Sequence, residues 1–248
     1  MGIFKNLFGG EKPKEKSEID SSKFKAIDKT DYTSLEELIE QHAGLSFEKQ
    51  LVFGDVIGSN AWELDMGKGN IIFGDLDFPI QIIGSLSFND SSWMWGWANA
   101  KSGMPENLLV QSNQLKEIGH EKGIKELTDG HFNVEEGFEH KIGMMACGLF
   151  NSKSYYCANY GQGTLVVTIE DDKIPEIDKS RIEKVLTNFP QLISAVDLNH
   201  KNTFKNYLID RDFELNISDH KIEGIKNGKV LTAEFDELNR LKSLNGKL

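Results

Sequence analysis

The sequence predicts an α+β fold, an antiparallel meander with helices packed on one face. Two patterns carry this. Between Trp62 and Asn99, apolar residues recur at every second position in short runs punctuated by Gly, Pro, Asn and Asp, as strands joined by tight turns do. After Asn99 they recur at three- and four-residue spacing, the pattern of amphipathic helices. Strands followed by helices, without βαβ alternation, point to segregated layers and away from a doubly wound parallel sheet.

The elements follow in order. Residues 1–31 read as a flexible tether carrying a short amphipathic helix, in which Ile3, Phe4, Leu7 and Phe8 share one face opposite Lys5 and Asn6. That face is a candidate for weak peripheral membrane or partner contact; two turns alone are marginal in water, so a frayed terminus is the competing reading. Residues 32–248 form a single α+β domain. It opens with a helix from Ser34 to about Phe53, where Ser34-x-x-Glu37 is a capping box and Gly44 an expected interruption.

Trp62, Leu64 and Met66 then alternate with charged residues, Gly67-Lys-Gly69 turns the chain into Ile71–Phe73, and Ile80, Ile82, Leu86 and Phe88 continue on one face. The Asn89–Ser92 cluster is a turn that delivers Trp93, Trp95 and Trp97, spaced so that an extended strand projects all three indoles from one face. Pro105 and Gly119 bound the next helix, Phe138 to Leu149 mark another, and Gly161-Gln-Gly163 joins a hairpin. A further helix runs from near Asp178 to Pro190. Helical spacing returns around Phe204–Leu208, and Asn227-Gly228 marks a closing hairpin.

The Trp93-x-Trp95-x-Trp97-Ala98-Asn99 strand is followed by Ile118-Gly119, Gly123-Ile124-x-Glu126-Leu127-Thr128 and a Tyr155-Tyr156 strand. Together these resemble an uncharacterised bacterial family, a domain of unknown function marked by that tryptophan strand. The similarity spans about Leu35 to Ile169, leaving residues 170–248 as a C-terminal part. It implies a bacterial, cytoplasmic α+β domain and no established activity, so it assigns no catalytic residue.

Composition narrows the function classes. The 248 residues are 39% hydrophobic and 27% charged, ordinary globular values, and a net charge of −11 argues against sequence-independent nucleic-acid binding. No run approaches the roughly 20 apolar residues of a membrane span, and no secretory cleavage site follows the N-terminus, so the cytoplasm is expected. Cys147 and Cys157 lack any Cys-x-x-Cys context, and the six histidines lack ligand spacing; His131, Glu135 and His140 form the one local grouping. No catalytic set, metal site or cofactor is expected.

The tryptophans are either core or the wall of a pocket in which Trp93, Trp95, Trp97 and Asn99 hold a ligand. Lying on the last strand before a run of helices, they favour core; Asn99 caps the following loop or meets the ligand. The leading function is a non-catalytic binding or interaction protein with a protein partner met through the acidic surface, as in bacterial immunity proteins. The alternative is an enzyme or small-ligand carrier with a cleft beside the tryptophan strand.

Overall fold

The computed structural model describes residues 20–247 and is α+β. The amphipathic octamer containing Ile3, Phe4, Leu7 and Phe8 lies outside the described residues. The first long element is α1, Leu35–Ile57. Ser34 caps it by accepting from the Glu37 N–H at 3.2 Å, while the Glu37 carboxylate accepts from the Thr33 N–H at 2.8 Å, so two orphan donors are satisfied at the cap. The helix does not break at Gly44. A Cβ there would stand 2.4 Å from Tyr207 Cβ, so the missing side chain serves close packing and the backbone stays helical.

Seven antiparallel strands follow. The meander β1 (Trp62–Asp65), β2 (Asn70–Phe73), β3 (Leu76–Ser87) and β4 (Ser92–Trp95) is extended by β5 (His131–Asn133). The hairpin β6 (Ser154–Asn159) and β7 (Gly163–Ile169) adds to β3 through Ile80–Ser87. Pro79 does not end β3, which runs unbroken through it and slips register between Ile82 and Gly84. The slip feeds both faces of the sheet: Ile82 packs with Phe53, Phe73, Phe78 and Val167, whereas Ile83 packs with Trp93 and Trp95.

Helices α2 (Val110–Lys122), α3 (Lys125–Thr128) and α4 (Phe138–Leu149) supply Leu115, Leu127, Ile142 and Met145 to the tryptophan cluster. Gly119, expected to stop α2, is internal. Its role is contact, since a Cβ there would be 2.6 Å from Leu127 Cβ; the stop is Gly123, which takes the left-handed conformation at φ 70°.

The C-terminal part builds a second sheet, which the sequence reading did not separate from the first. Its order is β11-β10-β9-β8, with β8 Glu214–Ile217, β9 Lys221–Lys226, β10 Lys229–Phe235 and β11 Leu241–Lys247. Asn227 and Gly228 both have positive φ, as a two-residue hairpin turn requires. Helices α5 (Glu183–Ala195) and α6 (His200–Asp210) pack Phe189, Phe204 and Tyr207 against Ile222, Leu231 and Phe235. The α5 helix begins at Glu183, later than expected, and passes through Pro190; burial of Phe189 and Leu192 on either side outweighs the lost hydrogen bond.

Two features join the parts. Helix α1 contributes to all three apolar clusters, through Leu38, Ala43 and Phe53. Glu48 on α1 and Arg211 at the end of α6 form a buried ion pair, with the Tyr207 hydroxyl also donating to Glu48 at 2.7 Å. Within the stretch read as tether, Lys25 makes a two-bond backbone bridge to Leu215, and Asp31 pairs with Lys122 at 2.6 Å.

Candidate functional site

The tryptophan strand is built as core at two of its three indoles. Trp93 and Trp95 are fully buried, their rings edge-on at 5.3 Å. The Trp93 indole lies over Gly84, where a Cβ would come within 2.4 Å of it. The Trp95 indole N–H donates to the Glu126 carbonyl at 2.8 Å, tying β4 to α3.

Trp97 departs from the expected pattern. The strand ends at Trp95, and Gly96–Ala98 is a 3₁₀ turn, so Trp97 does not continue the face of its neighbours. Gly96 permits this because its Cα sits against Leu109 and the Ile82 carbonyl, leaving no room for a side chain. The Trp97 ring is half-buried beneath Lys116, whose Nζ stands 4.2 Å from its centre. Asn99 is also half-buried, and its side chain makes no capping bond to the turn at Ala100–Ser102.

The histidine, cysteine and acidic groups that the sequence offered as candidates meet local partners. His131 faces the Ser92 hydroxyl at 2.8 Å, and no three His, Cys, Asp or Glu side chains among the described residues are arranged to hold a metal ion. Burial pushes the Cys147 thiol up to about 11. Fold proximity brings Cys157 Sγ to 3.6 Å from His140 Nδ1, a pairing invisible in the sequence, yet burial raises that thiol too, with Glu139 adding to the effect. A thiol held protonated is a weak nucleophile. The acidic runs near Asp171 and Asp210 are engaged by Lys173, Lys29 and Lys179.

The feature that converges is a cleft of about 590 Å³ where the two parts of the chain meet. Its floor is apolar, formed by Leu35, Ile39, Phe138 and Leu198, and its rim carries Glu36, Glu40, Glu135, Glu136 and Asp197 against one cation, Lys141. The first turns of α1 place Glu36 and Glu40 four residues apart on one face, a like-charged pair that gains nothing for the helix itself. The loop between β5 and α4 supplies the glutamate doublet, and the loop before α6 supplies Asp197.

Burial raises the Glu40 carboxyl above its usual range, partly offset by the hydrogen bond that Asn202 Nδ2 donates at 3.1 Å. At the mouth stands Leu238, 70% exposed, the most exposed large apolar residue among those described. Of the carboxylates here the sequence singled out only Glu135, and that in a grouping with His131 and His140. The Glu36–Glu40 pair was the available signal, but its partners lie about a hundred and more residues away and meet it only through the fold.

Comparison with known proteins agrees with this division of the chain. A model of a family of unknown function, DUF6882, matches residues 36–172, which run from the first turn of α1 to just beyond β7. The second sheet with α5 and α6, and hence one wall of the acidic cleft, lies outside the matched region. No curated protein and no solved structure matches the chain. With more than half of its residues covered by that one model, the chain belongs to the DUF6882 family of unknown function.

Proposed function

We propose that this protein is a non-catalytic binding protein of the bacterial cytoplasm that holds a basic, apolar-tipped segment of another protein in the acidic cleft. The observation that carries the reading is the combination of five carboxylates on the rim with an apolar floor and a solvent-facing leucine. A cation entering the cleft relieves repulsion among the carboxylates, and an apolar side chain beside it removes Leu238 and the floor from water. The net charge of −11 extends the attraction beyond the cleft and speeds encounter with a basic partner. The raised thiols of Cys147 and Cys157 support the non-catalytic half of the proposal.

The test uses the full chain and a synthetic peptide alternating lysine and leucine. Affinity falls steeply as salt rises, because the Debye length shrinks to about 8 Å near physiological ionic strength. Replacing Glu36, Glu135 and Glu136 with glutamine weakens binding about tenfold, at roughly 0.5 kcal/mol per exposed charge. Leu238→Ser weakens it at every salt concentration. Equal binding by the wild type and both variants would remove the cleft from the account.

A second reading, a small ligand beside the tryptophan strand, reduces to Trp97 and Asn99. What favours it is that Trp97 and Asn99, unlike Trp93 and Trp95, are only half-buried. Trp93 and Trp95 are closed to solvent in that reading as well.

A further inference from the structure

A second cavity, of about 410 Å³, lies between α1, the C-terminal end of α4 and the end of α6. Its lining sets two lysines and a histidine beside two aspartates. Lys29, Lys49, His42, Ser46, Asn151 and Asp210 bring their polar groups to one place. On α1, positions 42, 46 and 49 are spaced four and three apart and so share one face of the helix.

Lys49 is the unusual member. It is only 9% exposed, and its ammonium donates to the Ser152 carbonyl at 2.6 Å and to Asn151 Oδ1 at 3.4 Å. No carboxylate among the described residues forms an ion pair with it, and Asp210 and Glu176 feel its charge only at longer range. An ammonium has three donors, so one is left over, and a buried charge without a directly paired counter-charge is expensive. Lys29 across the cavity donates to the Gln41 carbonyl at 2.6 Å and to Asp210 at 2.7 Å, which also leaves one donor.

Ser46 is an independent observation. It is 1% exposed, and its hydroxyl has no nitrogen or oxygen partner, only the weakly hydrogen-bonding Cys147 thiol beside it. The His42 imidazole is pushed down to about 3 by burial, with Lys29 and Lys49 adding to the effect, so it enters the cavity as a neutral ring able to donate one N–H. Neither aspartate of the lining forms an ion pair with Lys49. Asp210 is engaged by Lys29, and Asp28 stands exposed at the rim.

We infer that this cavity is a binding site for a phosphate-type oxyanion, either free inorganic phosphate or the terminal group of a phosphomonoester. The anion supplies the direct ion-pair partner that Lys49 lacks and accepts from the spare donors of Lys49 and Lys29 and from the neutral His42. The cavity falls in the size range of small-ligand pockets, so an organic moiety can accompany the phosphate. Most of the lining, His42, Ser46, Lys49 and Asn151, lies within the family-matched region, while Lys29 and Asp210 come from the flanks.

The experiment is calorimetric titration of the full chain, in chloride buffer at fixed ionic strength, with inorganic phosphate in one arm and glycerol phosphate in the other. Saturable one-to-one binding is expected in at least one arm, and the arm that binds more tightly identifies the source. Lys49→Gln weakens that binding at least tenfold and Ser46→Ala several-fold, whereas Lys125→Gln, an exposed lysine outside the cavity, leaves it unchanged. The His42 ring resonances shift on saturation of the wild type. If Lys49→Gln does not fold, Ser46→Ala carries the test, since it deletes only a hydroxyl without a nitrogen or oxygen partner. Absence of saturable binding in both arms at millimolar concentration, or equal binding by wild type and Ser46→Ala with no change at His42, overturns the proposal.

Discussion

Removing the Arg211 guanidinium exposes how strongly the C-terminal part is fastened to α1. Arg211 is fully buried, pairs with Glu48, and donates to the carbonyls of Asp178 at 3.2 Å and Arg181 at 2.8 Å. Both carbonyls keep a backbone partner without it, the N–H groups of Arg181 and Lys184, so the loss concentrates on Glu48. In Arg211→Ala that carboxylate, 5% exposed, retains only the Tyr207 hydroxyl. Breaking a buried pair by removing one partner costs about 3–5 kcal/mol, a large share of a total of about 5–15. For a chain of this size that lowers Tm by roughly 6–20 °C.

The control is apolar replacement of the whole group, Glu48→Leu with Arg211→Met and Tyr207→Phe. The third change is needed because the Tyr207 hydroxyl would otherwise lose its acceptor, at about 1–3 kcal/mol. This triple variant recovers most of the loss, since two desolvated charges disappear together. Urea unfolding followed by tryptophan fluorescence and far-ultraviolet circular dichroism reads both. A loss below about 1 kcal/mol in Arg211→Ala, or a triple variant as unstable as the single one, refutes the reasoning.

Three further outcomes follow from the core. Gly84→Ala drives a methyl to 2.4 Å from the Trp93 ring and 2.6 Å from the Met94 carbonyl, and costs about 1–3 kcal/mol with an altered near-ultraviolet tryptophan signal. Trp95→Phe deletes the bond to Glu126 and leaves a void, lowering stability by about 2 kcal/mol and speeding amide exchange in α3 more than in α5. The third concerns His42, which is neutral when folded and held far below its ordinary value of 6.5. The unfolded chain therefore takes up a proton first as pH falls below 6.5, so stability drops with acidification by as much as about 3 kcal/mol near pH 4. In His42→Gln that pH dependence is shallower over the same window, as urea midpoints at successive pH values will show.

What was legible in the sequence is what depends on neighbours along the chain. The capping of α1 by Ser34, the strand at Trp93 and Trp95, and the Asn227-Gly228 turn each follow from a few adjacent residues. What was not legible depends on distant partners. Gly44 and Gly119 look like breaks, yet they are there because Tyr207 and Leu127 press against the backbone at those points. Pro190 looks like a helix end, but the burial of Phe189 and Leu192 carries α5 past it. The acidic cleft was illegible for the same reason, its carboxylates coming from α1, the loop before α4 and the loop before α6. The lysine cavity also assembles across the chain, from Lys29 to Asp210.

The central claim is that the acidic cleft, and not the tryptophan strand, is where this protein meets its partner. Titrating isotopically labelled full chain with the lysine-leucine peptide and mapping amide and methyl shifts tests it most directly. The account predicts that the shifted resonances cluster at Leu35, Glu36, Glu136, Leu198 and Leu238. Shifts centred on Trp97 and Asn99, or scattered evenly over the acidic surface, would contradict it.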